Sequence, residues 1–226
     1  MQLVKRSIAV ATALVALGCS RWAALDTTAV IPSPDDQPSH LLPDNFLNHG
    51  VPRLFSRNLG PNCGLISLQM ALAYQGIQTS FEQLVSRLGS RTTGGAIHLS
   101  ELVEVAQQYD VLVLYVHEPT TYQLRALVAA QFAPLVASRG YGPNTGHARV
   151  LVGYQGTEDQ TGLFYLLDPN YGRMIEEPIR KYVLQAHQFA LLILGLPYTR
   201  AKVIGQLAPF FGEGQPLPEI RTIAKQ

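Results

Sequence analysis

The sequence predicts an α+β domain in which N-terminal helices pack on an antiparallel sheet, and three observations carry that expectation. Apolar residues recur at helical spacing in segments between Cys63 and Tyr109. Extended, β-branched runs gather later, between Val111 and Leu194. Two of those runs flank a short polar turn at Gln155 to Gly162, the mark of a hairpin. Helices first and strands later argue for an α+β arrangement. With 226 residues, 47% of them apolar and 15% charged, the chain can bury a sizeable core.

Taken in order, Phe46 to Leu59 reads as an irregular approach in which Pro52-Arg53-Leu54-Phe55 forms a short strand. Gly60-Pro61 then turns into Asn62-Cys63-Gly64-Leu65-Ile66-Ser67-Leu68-Gln69-Met70-Ala71-Leu72, a buried helix stopped near Gly76. Thr79-Ser80-Phe81-Glu82-Gln83 offers a capping acceptor and an acid in the first turn of a helix to about Leu88. A second capped helix starts at Ser100 and ends near Tyr109. Val111 to Val116 is a strand, Thr121 to Gln131 a helix, and Ala133 to Ser138 a strand whose Pro134 suggests a strand start or an edge. After the glycine-rich loop 140–146, His147 to Tyr154 is a strand and Leu163 to Leu167 its hairpin partner. Asp168-Pro169-Asn170-Tyr171-Gly172 is a turn, because proline keeps Asp168 out of the helical region and Gly172 accepts a positive φ. A helix near Pro178 to Ala186 and a strand from Phe189 to Leu194 follow, and the proline- and glycine-rich tail after Pro197 is expected to be a loosely packed extension.

The net charge of +1, with Lys and Arg scattered singly, gives no basic patch and excludes nucleic acid as the expected partner. Lys5 and Arg6 precede the short apolar run Ser7 to Leu17, which falls below the roughly 20 residues needed to span a bilayer and reads as an export signal. Ala16-Leu17-Gly18-Cys19 resembles the lipobox of bacterial lipoproteins. That likeness implies lipidation of Cys19 and an envelope location, anchored to a membrane and facing the periplasm or another extracytoplasmic space. An ordinary secretory signal cut near Ala23 or Ala24 is the alternative. The expected organisation is a signal peptide with lipobox over 1–19, a tether over 20–45, the folded domain over 46–196 and the extension over 197–226.

Cys19 and Cys63 are the two cysteines of the chain, so lipidation of one leaves Cys63 as the free thiol. Cys63 falls at a helix start, where unpaired N–H groups and the positive dipole end favour a thiolate. A thiol nucleophile needs a base in reach, and the base needs an acceptor that fixes its tautomer. His147 opens a strand and Asp168 ends the neighbouring one, so antiparallel pairing brings them to the same sheet edge. His117, which follows a strand, is the rival base. Asp110 and Asp159 are equally readable as surface acids. No paired cysteine or HxxxH-type spacing supports a metal site, and no cofactor is expected.

Asn62-Cys63-Gly64, Gly146-His147-Ala148-Arg149-Val150-Leu151-Val152-Gly153-Tyr154 and Leu167-Asp168-Pro169-Asn170-Tyr171-Gly172 resemble the three motifs of the bacteriocin-processing, double-glycine cysteine peptidase family. The separations fit as well: 84 residues from Cys63 to His147 and 21 from His147 to Asp168. The resemblance implies a papain-like cysteine peptidase fold over roughly Phe46 to Leu194. It makes Cys63 the nucleophile, His147 the general base and acid, and Asp168 the residue that orients the imidazole. Where the family carries a glutamine as oxyanion-hole donor, this chain has Arg57, which leaves the adjacent Asn58 as the candidate donor. The expected function is an exported thiol peptidase acting on a peptide or protein. A Cys-dependent acyl transferase similar to phytochelatin synthases and a non-catalytic peptide-binding module on the same fold are the alternatives. The sequence has no GxxxxGK[ST] loop, so an ATP-driven transporter in the same polypeptide is not expected.

Overall fold

The computed structural model describes residues 42–54, 62–89, 97–139, 146–156, 161–184, 189–212 and 216–223. Its centre is an eight-stranded sheet, antiparallel in every pairing. The strands are β1 (Asn45–Leu47), β2 (Leu112–His117), β3 (Leu135–Arg139), β4 (Gly146–Gln155), β5 (Leu163–Asp168), β6 (Arg173–Pro178), β7 (Phe189–Leu194) and β8 (Ile220–Thr222). Their order is β6-β5-β4-β3-β7-β2-β8, with β1 pairing β4 off this path. The long β4 shares one edge between two partners: β3 lies along residues 146–150 and β1 along 153–155.

Helices α1 (Cys63–Tyr74), α2 (Phe81–Leu88) and α3 (Leu99–Gln107) cover one face of the sheet. Helices α4 (Thr121–Ala129) and α6 (Arg200–Leu207) contribute to the core on the other, and α5 (Ile179–Leu184) follows β6. Burial on both faces explains why all six residues of β7, Phe-Ala-Leu-Leu-Ile-Leu, are apolar and buried. Helix α1 is apolar around most of its circumference because it lies between the sheet and the other helices; Leu65, Ile66, Leu68, Met70, Ala71 and Leu72 are all buried. Helix α2 starts with the anticipated capping box, Gln83 N–H donating to Ser80 Oγ and Ser80 N–H to Gln83 Oε1.

Two expectations are corrected, one open alternative is decided and one strand is added. The short N-terminal strand is Asn45–Leu47, whereas Pro52 to Leu54 is irregular and Phe55 lies outside the described residues. Of the two readings of Pro134, the strand start holds, since β3 begins at Leu135, and the edge does not, since β3 is interior, held between β4 and β7. β6 fills the residues between the turn that ends at Gly172 and the helix expected from Pro178, where no strand is anticipated; its Arg-Met-Ile-Glu-Glu-Pro sequence is polar because it is an edge strand with one partner among the described residues. The tail is not loose: Val203 and Leu207 of α6 and Ile220 of β8 are buried, and β8 pairs β2. Among the described residues no helix is long and apolar enough to cross a membrane.

Pairing of β4 with β5 is interrupted by a bulge between Leu151 and Gly153. Gly153 is needed there. A Cβ at this position would stand 2.6 Å from the Phe46 carbonyl oxygen and 2.8 Å from a Leu47 methyl. Gly153→Ala is therefore expected to destabilise the fold by about 1–3 kcal/mol, read as a lower Tm in thermal denaturation. An unchanged Tm would show that β1 moves aside freely.

Candidate active site

Cys63 is the first residue of α1, preceded by Asn62 as the N-cap. Among the described residues it is a free, partly buried thiol. One turn on, Ser67 Oγ donates to the carbonyl of Ala148 on β4, 3.1 Å away and fully buried. The Ala148 N–H in turn donates to the Cys63 sulfur, as does the Gly64 N–H. One residue of β4 thus binds two residues of α1 at i and i+4, which share a helix face. Gly64 keeps the helix close to its neighbour, since a Cβ there would lie 3.1 Å from Leu102 on α3.

His147 is the second residue of β4 and pairs with Ser138 on β3. Its Nε2–H donates to Asp168 Oδ2 at 2.8 Å. That leaves Nδ1 for Cys63, to which the ring is also hydrogen-bonded. Asp168 ends β5, and its second oxygen, Oδ1, accepts the Asn170 N–H at 2.9 Å within the following turn. The side chain of His147 is 22% exposed and that of Asp168 only 1%. The carboxylate is sealed while the imidazole can meet a ligand.

The bulge makes this meeting possible. At the turn end of the hairpin Gln155 faces Leu163, a register that would continue to set Asp168 opposite Val150, on the α1 side. After the bulge Val150 faces Leu167 instead, so Asp168 falls opposite Arg149 and shares the face of His147.

Electrostatics follow the contacts. Burial pushes the Cys63 thiol up, but the hydrogen bond from His147, the Ala148 and Gly64 N–H groups and the charge on His147 outweigh it, and the net shift is downward. Burial opposes charge on His147 too. The hydrogen bonds to Asp168 and Cys63 and their negative charges overcome it, and its pKa is pushed up to about 9. Between the lowered thiol value and about 9 the pair is thiolate and imidazolium.

The structure brings together Cys63, His147 and Asp168 and leaves the rival base elsewhere. His117 ends β2, with β3 and β7 between that strand and β4, and its ring stacks on Tyr115 at 5.9 Å. Asp110 is exposed at a positive-φ turn after α3, and Asp159 lies outside the described residues. Asn58 and Arg57 are likewise outside them, as is Cys19. Among the described residues no group of three or more His, Cys, Asp or Glu side chains is gathered as a metal site. Ser67 was missed by sequence reasoning, although a hydroxyl inside an apolar helix, one turn after Cys63, is itself a sign of a buried acceptor.

Iodoacetamide alkylation checks the pair. Below the range in which an ordinary thiol ionises, Cys63 is expected to react faster than such a thiol, its alkylation profile displaced to lower pH. His147→Ala should move the profile up toward an ordinary thiol; a profile indifferent to that substitution would refute the coupling.

Residues 49–188 match the model of the Peptidase_C39 like family. Two solved structures are similar to the chain. One is a double-glycine-motif protease from an AMS/PCAT transporter in complex with the leader peptide, at 21% identity and a TM-score of 0.47, covering 63% of this chain and 90% of that one. The other is the peptidase domain of Streptococcus ComA, a bifunctional ABC transporter involved in quorum sensing, at 16% identity and a TM-score of 0.42, covering 64% of this chain and 96% of that one. No curated protein matches.

Proposed function

From the premise that the chain belongs to the Peptidase_C39 like family and has its α+β, papain-like fold, we propose that it is a thiol peptidase whose working group is Cys63, His147 and Asp168. The observation that carries the reading is the continuous hydrogen-bonded series from a helix-start thiol through the imidazole to a sealed carboxylate.

The chemistry follows from that series. The Cys63 thiolate attacks the scissile carbonyl carbon, and the carbonyl electron pair moves onto oxygen. The Cys63 N–H, at a helix start with no intrahelical acceptor, is one donor for this oxyanion, and Asn58 is the candidate second. His147 then gives its Nδ1 proton to the leaving amine as the C–N bond breaks, leaving a thioester on Cys63. Water attacks the thioester while His147 takes its proton. The C–S bond breaks, the acid leaves, and thiolate and imidazolium are restored. Asp168 holds the Nε2–H tautomer throughout, which keeps Nδ1 aimed at sulfur.

A peptide carrying a cysteine-directed electrophile is expected to label Cys63 once per chain, and Asp168→Asn to retain the fold while turnover of a cleaved peptide falls by on the order of 10³–10⁴. Absence of both labelling and turnover would leave the non-catalytic peptide-binding module as the reading.

The basic residues Lys5 and Arg6, the apolar run to Leu17 and the lipobox-like Ala16 to Cys19 support export and lipid anchoring of the same protein in the cell envelope. Intact mass of membrane-extracted protein should then show a diacylglyceryl adduct on a chain that begins at Cys19. A soluble chain that begins near Leu25 would sink this part of the proposal.

A further inference from the structure

Arg149 interrupts the otherwise apolar run Ala148-Arg149-Val150-Leu151-Val152, and its side chain is only 5% exposed. A guanidinium so buried persists only when paired. Its partner is Glu177 on β6, 7% exposed, with Nη1 2.7 Å from Oε2. Glu177 turns its other oxygen to Lys181 on α5, Oε1 to Nζ 2.8 Å, at the protein surface.

The β4–β5 register sets these charges beside the site. One residue past the Val150–Leu167 pair, Arg149 stands opposite Asp168, on the face where Asp168 meets His147. Residues so opposed have Cβ atoms about 4.5–5.5 Å apart. Lys181, Glu177 and Arg149 are joined by ion pairs, Asp168, His147 and Cys63 by hydrogen bonds, and the β4–β5 register sets the two series side by side.

We infer that Arg149 and Glu177 are positioning residues for the Cys63–His147–Asp168 group: Arg149 sets a buried positive charge beside it, and Glu177 balances Arg149 so that its charge does not drive the proton off His147. The inference rests on the reading of that group as the working one. Arg149 and Asp168 are both removed from water, so their attraction is little screened, and so is the repulsion between an unbalanced Arg149 and the imidazolium. A mere clamp between β4 and the β6 hairpin would need no charge, because an apolar pair holds buried strands as well or better. Other charged groups do not take this role. Arg173 pairs with Asp168 through the β5–β6 backbone but is exposed, and Arg139 on β3 pairs with Gly146. Arg125 on α4 lies over the Tyr154 ring, seven residues along β4 from His147.

The test is an NMR titration of the His147 ring in the full chain, assigned with His147→Gln, which needs no substrate and reports the apparent midpoint of the coupled pair. Glu177→Gln unmasks Arg149 and is expected to lower the midpoint by on the order of one pH unit. Arg149→Gln leaves Glu177 facing the site and is expected to raise it. The double variant should return close to wild type. Opposite shifts that cancel support the inference; unmoved midpoints, or shifts of one sign that persist in the double variant, overturn it. If either single variant fails to fold, Lys181→Gln at the exposed end decides, with an upward shift of roughly 0.3 pH unit expected and no shift overturning the idea. The outcome is independent of turnover: the expected shifts in a protein that cleaves no peptide would refute the peptidase reading and leave the charge series standing.

Discussion

Between the turn end and the site end of the β4–β5 hairpin the pairing slips by one residue, and side-chain alternation makes that slip decisive. Without it Asp168 would stand opposite Val150 and point among the apolar residues that pack against α1. With it the carboxylate crosses to the face of His147, and Arg149 becomes its neighbour. The slip costs a disturbed ladder and a glycine. Gly153 has no room for a side chain because the Phe46 carbonyl of β1 passes directly over it. A three-residue strand at the edge of β4 and the alignment of a histidine with an aspartate at its other end are thus parts of one local geometry.

The thiol arrives from an independent direction and is held just as firmly. Helix α1 is buried on nearly every side, so its axis is set by packing rather than by an amphipathic stripe. Its position along that axis is set by Ala148, whose carbonyl accepts from Ser67 and whose N–H donates to the Cys63 sulfur. Ala148 follows His147 directly, so the same short piece of β4 carries the imidazole and gauges the thiol. This is why a thiolate and an imidazolium can be neighbours in a partly buried place: each opposes the other's desolvation, and backbone N–H groups complete the shell of the sulfur.

Both faces of the sheet are covered, and the exposure of the site is accordingly uneven. Asp168 is sealed, His147 is partly open, and the buried Arg149–Glu177 pair on the same sheet face leads to a lysine at the surface. Alternation of sign lets several charges share a dry region, since each has an opposite neighbour within reach. The C-terminal tail contributes to this dryness: Val203 and Leu207 of α6 join α4 and the strands in one apolar cluster.

Local signals in the sequence determined a good deal by themselves. The apolar run after Asn62, the Ser80 capping box, the β-branched runs and the Pro169 and Gly172 turn are each legible because backbone conformation there follows from neighbours within a few residues. The order Cys63, His147, Asp168 and their placement at element ends were legible for the same reason. Edge elements were not. β1 is too short to have a period, β6 is polar because one of its sides is open, and the burial of α6 depends on a sheet face that no local pattern describes. The register of β4 against β5 belonged wholly to the tertiary structure. A strand sequence states which residues alternate, but a slip of one residue is set by what packs over the strand, here Phe46 and Leu47 against Gly153. That slip, rather than any motif, decided that Asp168 faces His147, and it decided that a buried Arg149 stands beside them.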